Sequence, residues 1–185
     1  EKTAWLDAIF SVVDGSYGYM HAFDDAIQVT AEKLPATFLD RVFSGDAEEQ
    51  KRRRFFIERG GVDKLPLGTV DIDTLIDWCR TKAVPDTWPV VAASILQWAI
   101  KKEDEPVKLS EAALKLVEAA PDPEAVISAF ADRIEPRVSS GDRADVMQKR
   151  LNAINALSGH PRSDIATAAM LVVTKASKWI EAERQ

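Results

Sequence analysis

Apolar residues recur every three or four positions along nearly the whole chain, a spacing that places them on one side of an α-helix. Stretches in which apolar and polar residues alternate, as they do in a half-buried strand, are scarce. The 46% of apolar residues is enough to close a core in a chain of 185 residues. The pattern therefore predicts an all-α protein of about ten helices, arranged as stacked antiparallel pairs.

Capping residues mark where several of these helices begin. Asp46 and Glu49 have the spacing of a capping box, and Asp122 precedes a proline that suits the first helical position. Similar signals place helix starts at Asp86, Asp142 and Ser163. The predicted helices cover residues 3–14, 19–33, 36–44, 47–59, 72–82, 87–102, 109–120, 123–134, 143–158 and 163–183.

Most joints between the predicted helices are short, so neighbouring helices are expected to pack as antiparallel hairpins. The exception is the segment 60–70, GGVDKLPLGTV, which is interpreted as a connecting or functional loop. It separates an N-terminal helical subdomain, residues 1–59, from residues 71–185. Because the chain begins at Glu1 without a methionine, we expect it to be a fragment of a larger protein. Its first residues lack the basic region of a secretory signal. We expect the helices to form one continuous unit.

Residues 71–185 contain three helix pairs that begin near residues 72, 109 and 143. Their sequences are DTLIDWCRTKAVPDTWPVVAASILQWAI, LSEAALKLVEAAPDPEAVISAFADRI and DVMQKRLNAINALSGHPRSDIATAAMLVVTKASKWI. In pattern, this part of the chain resembles the HEAT and armadillo families of α-solenoids. The same pattern also suits an irregular helical bundle. The resemblance implies a scaffold role and assigns a function to no single residue.

The densest positive run is EEQKRRRFF, residues 48–56. On a helix its cations point in successive directions about 100° apart, and Glu48 and Glu49 lie four residues before Arg52 and Arg53. These pairs favour an ordinary solvated helix over a contact with phosphate or lipid. If the run binds a partner, we expect a protein that uses Arg52 or Arg53 at the rim of the contact.

A second group of cations spans a predicted helix end, a turn and the next helix: Arg133, Arg137, Arg143, Lys149 and Arg150. It is a more plausible basic patch, although a local role at the helix end would also explain Arg133.

Among the five tryptophans, Trp88 is predicted to be partly exposed, because it lies near the start of its helix. Such a tryptophan can anchor a partner protein.

No familiar catalytic or metal motif appears. His21 and His160 are isolated from one another, and Cys79 is predicted to be a buried, inert thiol. The acidic stretch that begins at Asp71 needs no metal to explain it, because helix capping accounts for it. Asp24 and Asp25 point in different directions on a helix, so they do not converge on one ion. We therefore predict no catalytic residue, no metal site and no cofactor.

Charge and composition narrow the expected function. A net charge of −6 argues against general binding to nucleic acids. No apolar run has the length of about 18 residues that a membrane span needs. The lone cysteine favours a reducing, cytoplasmic setting, and the composition suggests a bacterial source.

The predicted function is a non-catalytic scaffold that binds a protein partner or another domain of its own chain. The alternatives are a helical-repeat module for nucleic acid and an enzyme with a pocket between helices.

Overall fold

The computed structural model of the chain describes residues 4–15, 24–58, 70–82, 87–95, 98–101, 105–136 and 142–184. Helices make up most of these residues, which confirms the predicted all-α class. The contacts divide the chain into two compact units, Glu1–Thr81 and Lys82–Gln185. This division falls beyond the predicted loop 60–70, of which residues 60–69 lie outside the described part. The helix that begins at Ile72 thus belongs to the first unit, although the sequence grouped it with the helices that follow.

The first unit is built around its shortest described helix. Its helices are α1 (Ala4–Gly15), α2 (Asp24–Lys33), α3 (Pro35–Val42), α4 (Ala47–Glu58) and α5 (Ile72–Thr81). Helix α3 contacts each of the other four. Its Phe38 and Leu39 are fully buried, and the ring of Phe38 lies 6.2 Å from that of Phe10 on α1. The apolar face of α3 therefore forms the centre of this core.

The corner between α3 and α4 is set by local chemistry. Gly45 has a φ of +84°, a conformation that residues with a Cβ atom rarely adopt. Asp46, the next residue, forms two hydrogen bonds with Glu49. The Glu49 N–H donates to Asp46 Oδ1 at 2.9 Å, and the Asp46 N–H donates to Glu49 Oε2 at 3.0 Å. This reciprocal pair is the predicted capping box.

The second unit is also built around one helix. Its elements are α6 (Thr87–Ile95), β1 (Ala99–Ile100), β2 (Lys108–Leu109), α7 (Glu111–Ala119), α8 (Pro123–Ala131), α9 (Arg143–Asn155), a 3₁₀ helix (Ala156–Gly159) and α10 (Ser163–Glu183). Helix α8 contacts α6, α7, α9 and α10. Its Val126, Ile127 and Phe130 are fully buried, and the ring of Phe130 stacks on Trp98 at 5.7 Å. A helix with apolar residues on several sides is suited to this central position.

A short antiparallel ribbon lies where helix was predicted. Ala99 pairs with Leu109 and Ile100 with Lys108, so the predicted helices 87–102 and 109–120 are wrong at the ends that face each other. Strands of two residues are too short to produce a visible alternation in the sequence. Ser110 follows the ribbon and caps α7, accepting a hydrogen bond from the N–H of Ala113 at 3.0 Å.

Three of the four predicted capping residues in the second unit lie in the described part. Asp122 accepts from the N–H of Ala125 at 3.2 Å, and Asp142 accepts from that of Ala144 at 2.9 Å, as predicted. Ser163 is not a cap, because α10 begins at Ser163 itself and Arg162 takes the capping position. Asp86 lies outside the described residues.

Candidate functional site

The basic run of α4 does not form a wholly solvated face. Arg53 is only 9% exposed. Its Nη1 donates to the carbonyl oxygens of Arg41 and Ser44, both at 2.9 Å, and its guanidinium carbon lies 5.4 Å from the ring centre of Phe10. Arg53 therefore binds the end of α3, and the prediction that it stands at an exposed rim is wrong. Arg52 is half-buried with no hydrogen-bond partner at its buried Nε, and its partner role stays a prediction.

Arg150 has an equivalent position in the second unit. Its Nη1 lies 3.4, 3.1 and 3.2 Å from the carbonyl oxygens of Arg133, Ile134 and Glu135, which follow α8. These carbonyls belong to the segment just beyond Ala131, the last residue of α8. Burial lowers the pKa of Arg150 from its ordinary value. The guanidinium is thus engaged inside the unit, so Arg150 is not part of an open basic patch.

The other cations of the predicted basic patch have separate surroundings. Arg143 forms ion pairs with Glu135 and with Glu183, the latter at 3.4 Å. Arg133 Nη1 lies 3.3 Å from the carbonyl oxygen of Ala92. Arg137 lies outside the described residues. Among the described members of this predicted set, Lys149 alone lines the groove described below.

The tryptophans of the described part are mostly buried. Trp88 is 5% exposed, so its predicted partial exposure is wrong. Trp78 is equally buried, and its Nε1 donates to Asp40 Oδ1 at 2.8 Å. Trp179 near the end of α10 is 38% exposed. The side chain of Trp5 lies outside the described part.

The titratable residues singled out in the first unit have local roles. Cys79 is fully buried on α5, as predicted. Asp71 accepts from the N–H of Thr74 at 3.2 Å and so caps α5. His21 lies outside the described residues, as do the side chains of Asp24 and Asp25. Within the described ranges, no three His, Cys, Asp or Glu side chains converge as metal ligands would.

The second unit contains an open groove of about 940 Å³. One side comes from the segment that leads into α7, and the other from the end of α9 and the 3₁₀ helix. Helix α9 contacts β2, which places the two sides against each other. The volume lies within the range of about 300–1,000 Å³ that is typical of ligand pockets.

The lining of the groove is largely apolar. Val107, Leu109 and Leu114 contribute from the first side, and Ala153 and Leu157 from the second. Ala153 and Leu157 are almost fully buried, so they anchor this wall in the core of the unit. Together these five apolar side chains form what we call the floor of the groove. Packing in the core of the unit holds its second side in place.

Three lysines stand along this groove. Lys108 pairs with Glu105 at 3.0 Å, so its charge is already balanced. Lys101 and Lys149 are exposed and form no ion pair within the described part of the chain. Among the described lining residues, three lysines stand against one glutamate, so their net charge is positive although the whole chain carries a net charge of −6.

His160 lines the groove, and both of its ring nitrogens are engaged. Its Nδ1 accepts a hydrogen bond from the backbone N–H of Arg162 at 3.2 Å, which places the ring proton on Nε2. Nε2 lies 3.1 Å from Glu118 Oε1 and donates to it. A neutral ring in this tautomer has no free lone pair with which to take a proton from a substrate.

Arg162 fixes the turn that carries His160. Its Nη1 donates to the carbonyl oxygen of Glu118, and its Nη2 donates to Asp164 Oδ2 at 2.6 Å. Hydrogen bonding with Asp164 raises the pKa of Arg162, and the same bond lowers the pKa of Asp164. This network connects the beginning of α10 to the end of α7.

Lys101 and the apolar floor were missed at the sequence level. The floor combines the short stretch 106–109 with residues of α9, which lie about forty positions later. In the stretch PVKL, the apolar residue Val107 lies outside every predicted helix, and Leu109 begins the next one. That was the signal present in the sequence, but the position of α9 opposite this stretch requires the tertiary structure.

Comparison of the chain with protein-family models, with curated proteins and with solved structures gave no match. Among the described helices, none combines the length and the apolar character that crossing a membrane demands.

Proposed function

We propose that this protein is a non-catalytic helical scaffold whose second unit binds a segment of a partner protein in the groove. The observation that carries the proposal is the open, mainly apolar groove of about 940 Å³ between β2 and the end of α9. Apolar surface that remains in contact with water is stabilised when another apolar surface covers it. A protein segment laid in the groove provides that cover.

The chemistry around His160 favours binding over catalysis. It is the only histidine among the described lining residues, and histidine is the side chain that most often acts as a general acid or base. Hydrogen bonds engage both of its nitrogens. Its geometry suits a rigid wall that holds the shape of the groove. An enzyme with an inter-helix pocket would need a second reactive group that converges on the same point.

The packing order in the second unit supports the resemblance to an α-solenoid. Helix α8, the second helix of its predicted pair, contacts α6 and α10, which are the second helices of the other two pairs. In a stack of helix pairs, each second helix packs against the second helix of its neighbour. Scaffolds of this kind present preformed surfaces to their partners, and a groove on one side fits that use.

The test compares a blocked groove with an intact one. Ala156 is exposed and lines the groove, so Ala156→Trp fills the space without disturbing the core. Thr167 on α10 is exposed and lies outside the lining, so Thr167→Trp is the matched control. Each variant is immobilised and exposed to native lysate, and the bound proteins are quantified by mass spectrometry.

A protein retained by the wild type and by Thr167→Trp, but lost with Ala156→Trp, is the expected result. Equal recovery by all three forms would assign the binding to another surface and overturn the proposal. Turnover of a substrate by the isolated chain, abolished by Ala156→Trp, would replace it with an enzymatic function.

A further inference from the structure

We infer that the groove recognises an acidic segment in which an apolar side chain lies next to one or more carboxylates. This inference rests on the proposed function and names the chemistry of the partner. Its basis is the combination of an apolar floor with two lysines that have no counter-ion among the described residues. Each feature alone is common on protein surfaces. Together they favour a ligand that carries two kinds of group, an apolar side chain and carboxylates.

The apolar floor specifies the first kind. Leu109 and Leu114 on one side face the wall formed by Ala153 and Leu157. A polar side chain placed between them would lose hydrogen bonds to water without replacement. An aliphatic or aromatic side chain loses none and removes its own apolar surface from water. The segment therefore needs one apolar residue to enter the groove.

The lysines specify the second kind. Lys108 is balanced by Glu105, but Lys101 and Lys149 have no such partner in the described part of the chain. Arg150, the neighbour of Lys149, is held by the carbonyls behind α8 and contributes nothing to the rim. Carboxylates of a bound segment complement the two open charges, whereas a basic segment would meet repulsion.

Asn152 adds a neutral hydrogen-bonding group to the groove lining. Its Oδ1 accepts from Gln148 Nε2 at 3.1 Å, which turns the amide oxygen toward the neighbouring helical residue. The Nδ2 group is then available as a donor in the groove lining. A carboxylate or a backbone carbonyl of the segment can accept from it.

Two features favour a peptide over other anions. The groove is open to solvent, so the chain of a bound segment can continue on both sides. Among the lining residues that the structure describes there is no Phe, Tyr or Trp on which a nucleobase could stack.

The experiment selects peptides from a random display library on the wild-type chain, with counter-selection on Ala156→Trp. We expect the enriched peptides to share an apolar residue beside Asp or Glu. A selected peptide is then labelled, and its affinity is measured by fluorescence anisotropy. Replacing its acids by Asn or Gln should weaken binding, and higher salt should weaken it as well.

Protein variants test the lysines. Lys101→Glu and Lys149→Glu should each reduce the affinity at least about two- to fivefold, the range of an exposed ion pair. Lys178→Glu changes the same charge on exposed α10 outside the lining and should have little effect. A peptide whose acids are replaced by Lys should bind Lys149→Glu better than it binds the wild type.

The outcomes separate this inference from the proposed function. Peptides that require the groove but show no acidic preference overturn the inference and leave the scaffold role intact. If selection yields no peptide that depends on the groove, both fail. Groove-dependent binding of decanoate, with no peptide selected, would assign a small amphipathic anion instead. Self-association blocked by Ala156→Trp would assign a second copy of the chain.

Discussion

The Nη1 nitrogen of Arg150 lies 3.1 Å from the carbonyl oxygen of Ile134, just beyond the end of α8. The methylene stem of this arginine runs from α9, so one side chain joins two helices. In the first unit Arg53 does the same between α4 and the end of α3. In each unit, therefore, an arginine from one helix donates to backbone carbonyls at or just beyond the end of another helix.

Arg150→Met retains the stem and removes the donors. Because the backbone carbonyls that follow α8 would lose a charged partner, we expect the free energy of unfolding to fall by about 1–3 kcal/mol. The measurement is urea denaturation followed by circular dichroism. Lys149→Met is the control and should stay within about 0.5 kcal/mol of the wild type. Equal losses in the two variants would show that the hydrogen bonds of Arg150 contribute nothing specific.

Arg53→Met should destabilise the first unit by a similar amount. It removes two carbonyl contacts and the cation–π contact with Phe10, so we expect a loss of about 1–3 kcal/mol. Arg53→Lys keeps the charge but lacks the planar fork, and should recover only part of this loss. Exposed Lys51 on the same helix gives the control variant Lys51→Met. A fully stable Arg53→Met protein would contradict the role assigned to Arg53.

Gly45→Ala should lower the free energy of unfolding by roughly 1–2 kcal/mol, because the φ of +84° is unfavourable for a residue with a Cβ atom. The added methyl group would also collide with the Glu49 carboxylate and disturb the capping box. Gly159→Ala is the matched control, since no atom lies within 4 Å of its added Cβ and its φ is not positive. Comparable thermal stability of both variants would refute this account of the corner.

The bond between Arg162 and Asp164 predicts a dependence on pH. It lowers the pKa of Asp164 in the folded state, so its contribution is present above the unfolded pKa and is lost as pH falls through the folded pKa. Arg162→Met should raise the pKa of Asp164 toward its ordinary value. NMR titration of the carboxyl carbons measures this shift. Lys178→Met should leave the Asp164 titration unchanged, and an unchanged titration in Arg162→Met would disprove the assignment.

The sequence predicted features whose causes lie within a few residues. The Asp46–Glu49 capping box and the caps at Asp122 and Asp142 were confirmed, because spacing along the chain determines them. The burial of Cys79 followed from helical periodicity on α5. The all-α class rests on the same periodicity, repeated along the chain.

Other features depend on residues that are distant in sequence. Arg53 was predicted to stand at an exposed rim, paired with Glu49 four residues before it. Instead it is buried, and its guanidinium donates to carbonyls at the end of α3 and in the following turn. Position near a helix start suggested exposure for Trp88, but tertiary packing covers it. The groove could not be predicted, since it arises where α9 meets β2. The scaffold function and the resemblance to α-solenoids stay predictions.

The central position of α8 has a consequence for the dynamics of the second unit. Four helices cover it, and its inner residues have no exposed surface. Its amide hydrogens can therefore reach solvent only when those neighbours detach, an event close to unfolding of the whole unit. In a hydrogen–deuterium exchange experiment α8 would be the last helix of this unit to take up label, and its exchange rate would report the unit's global stability.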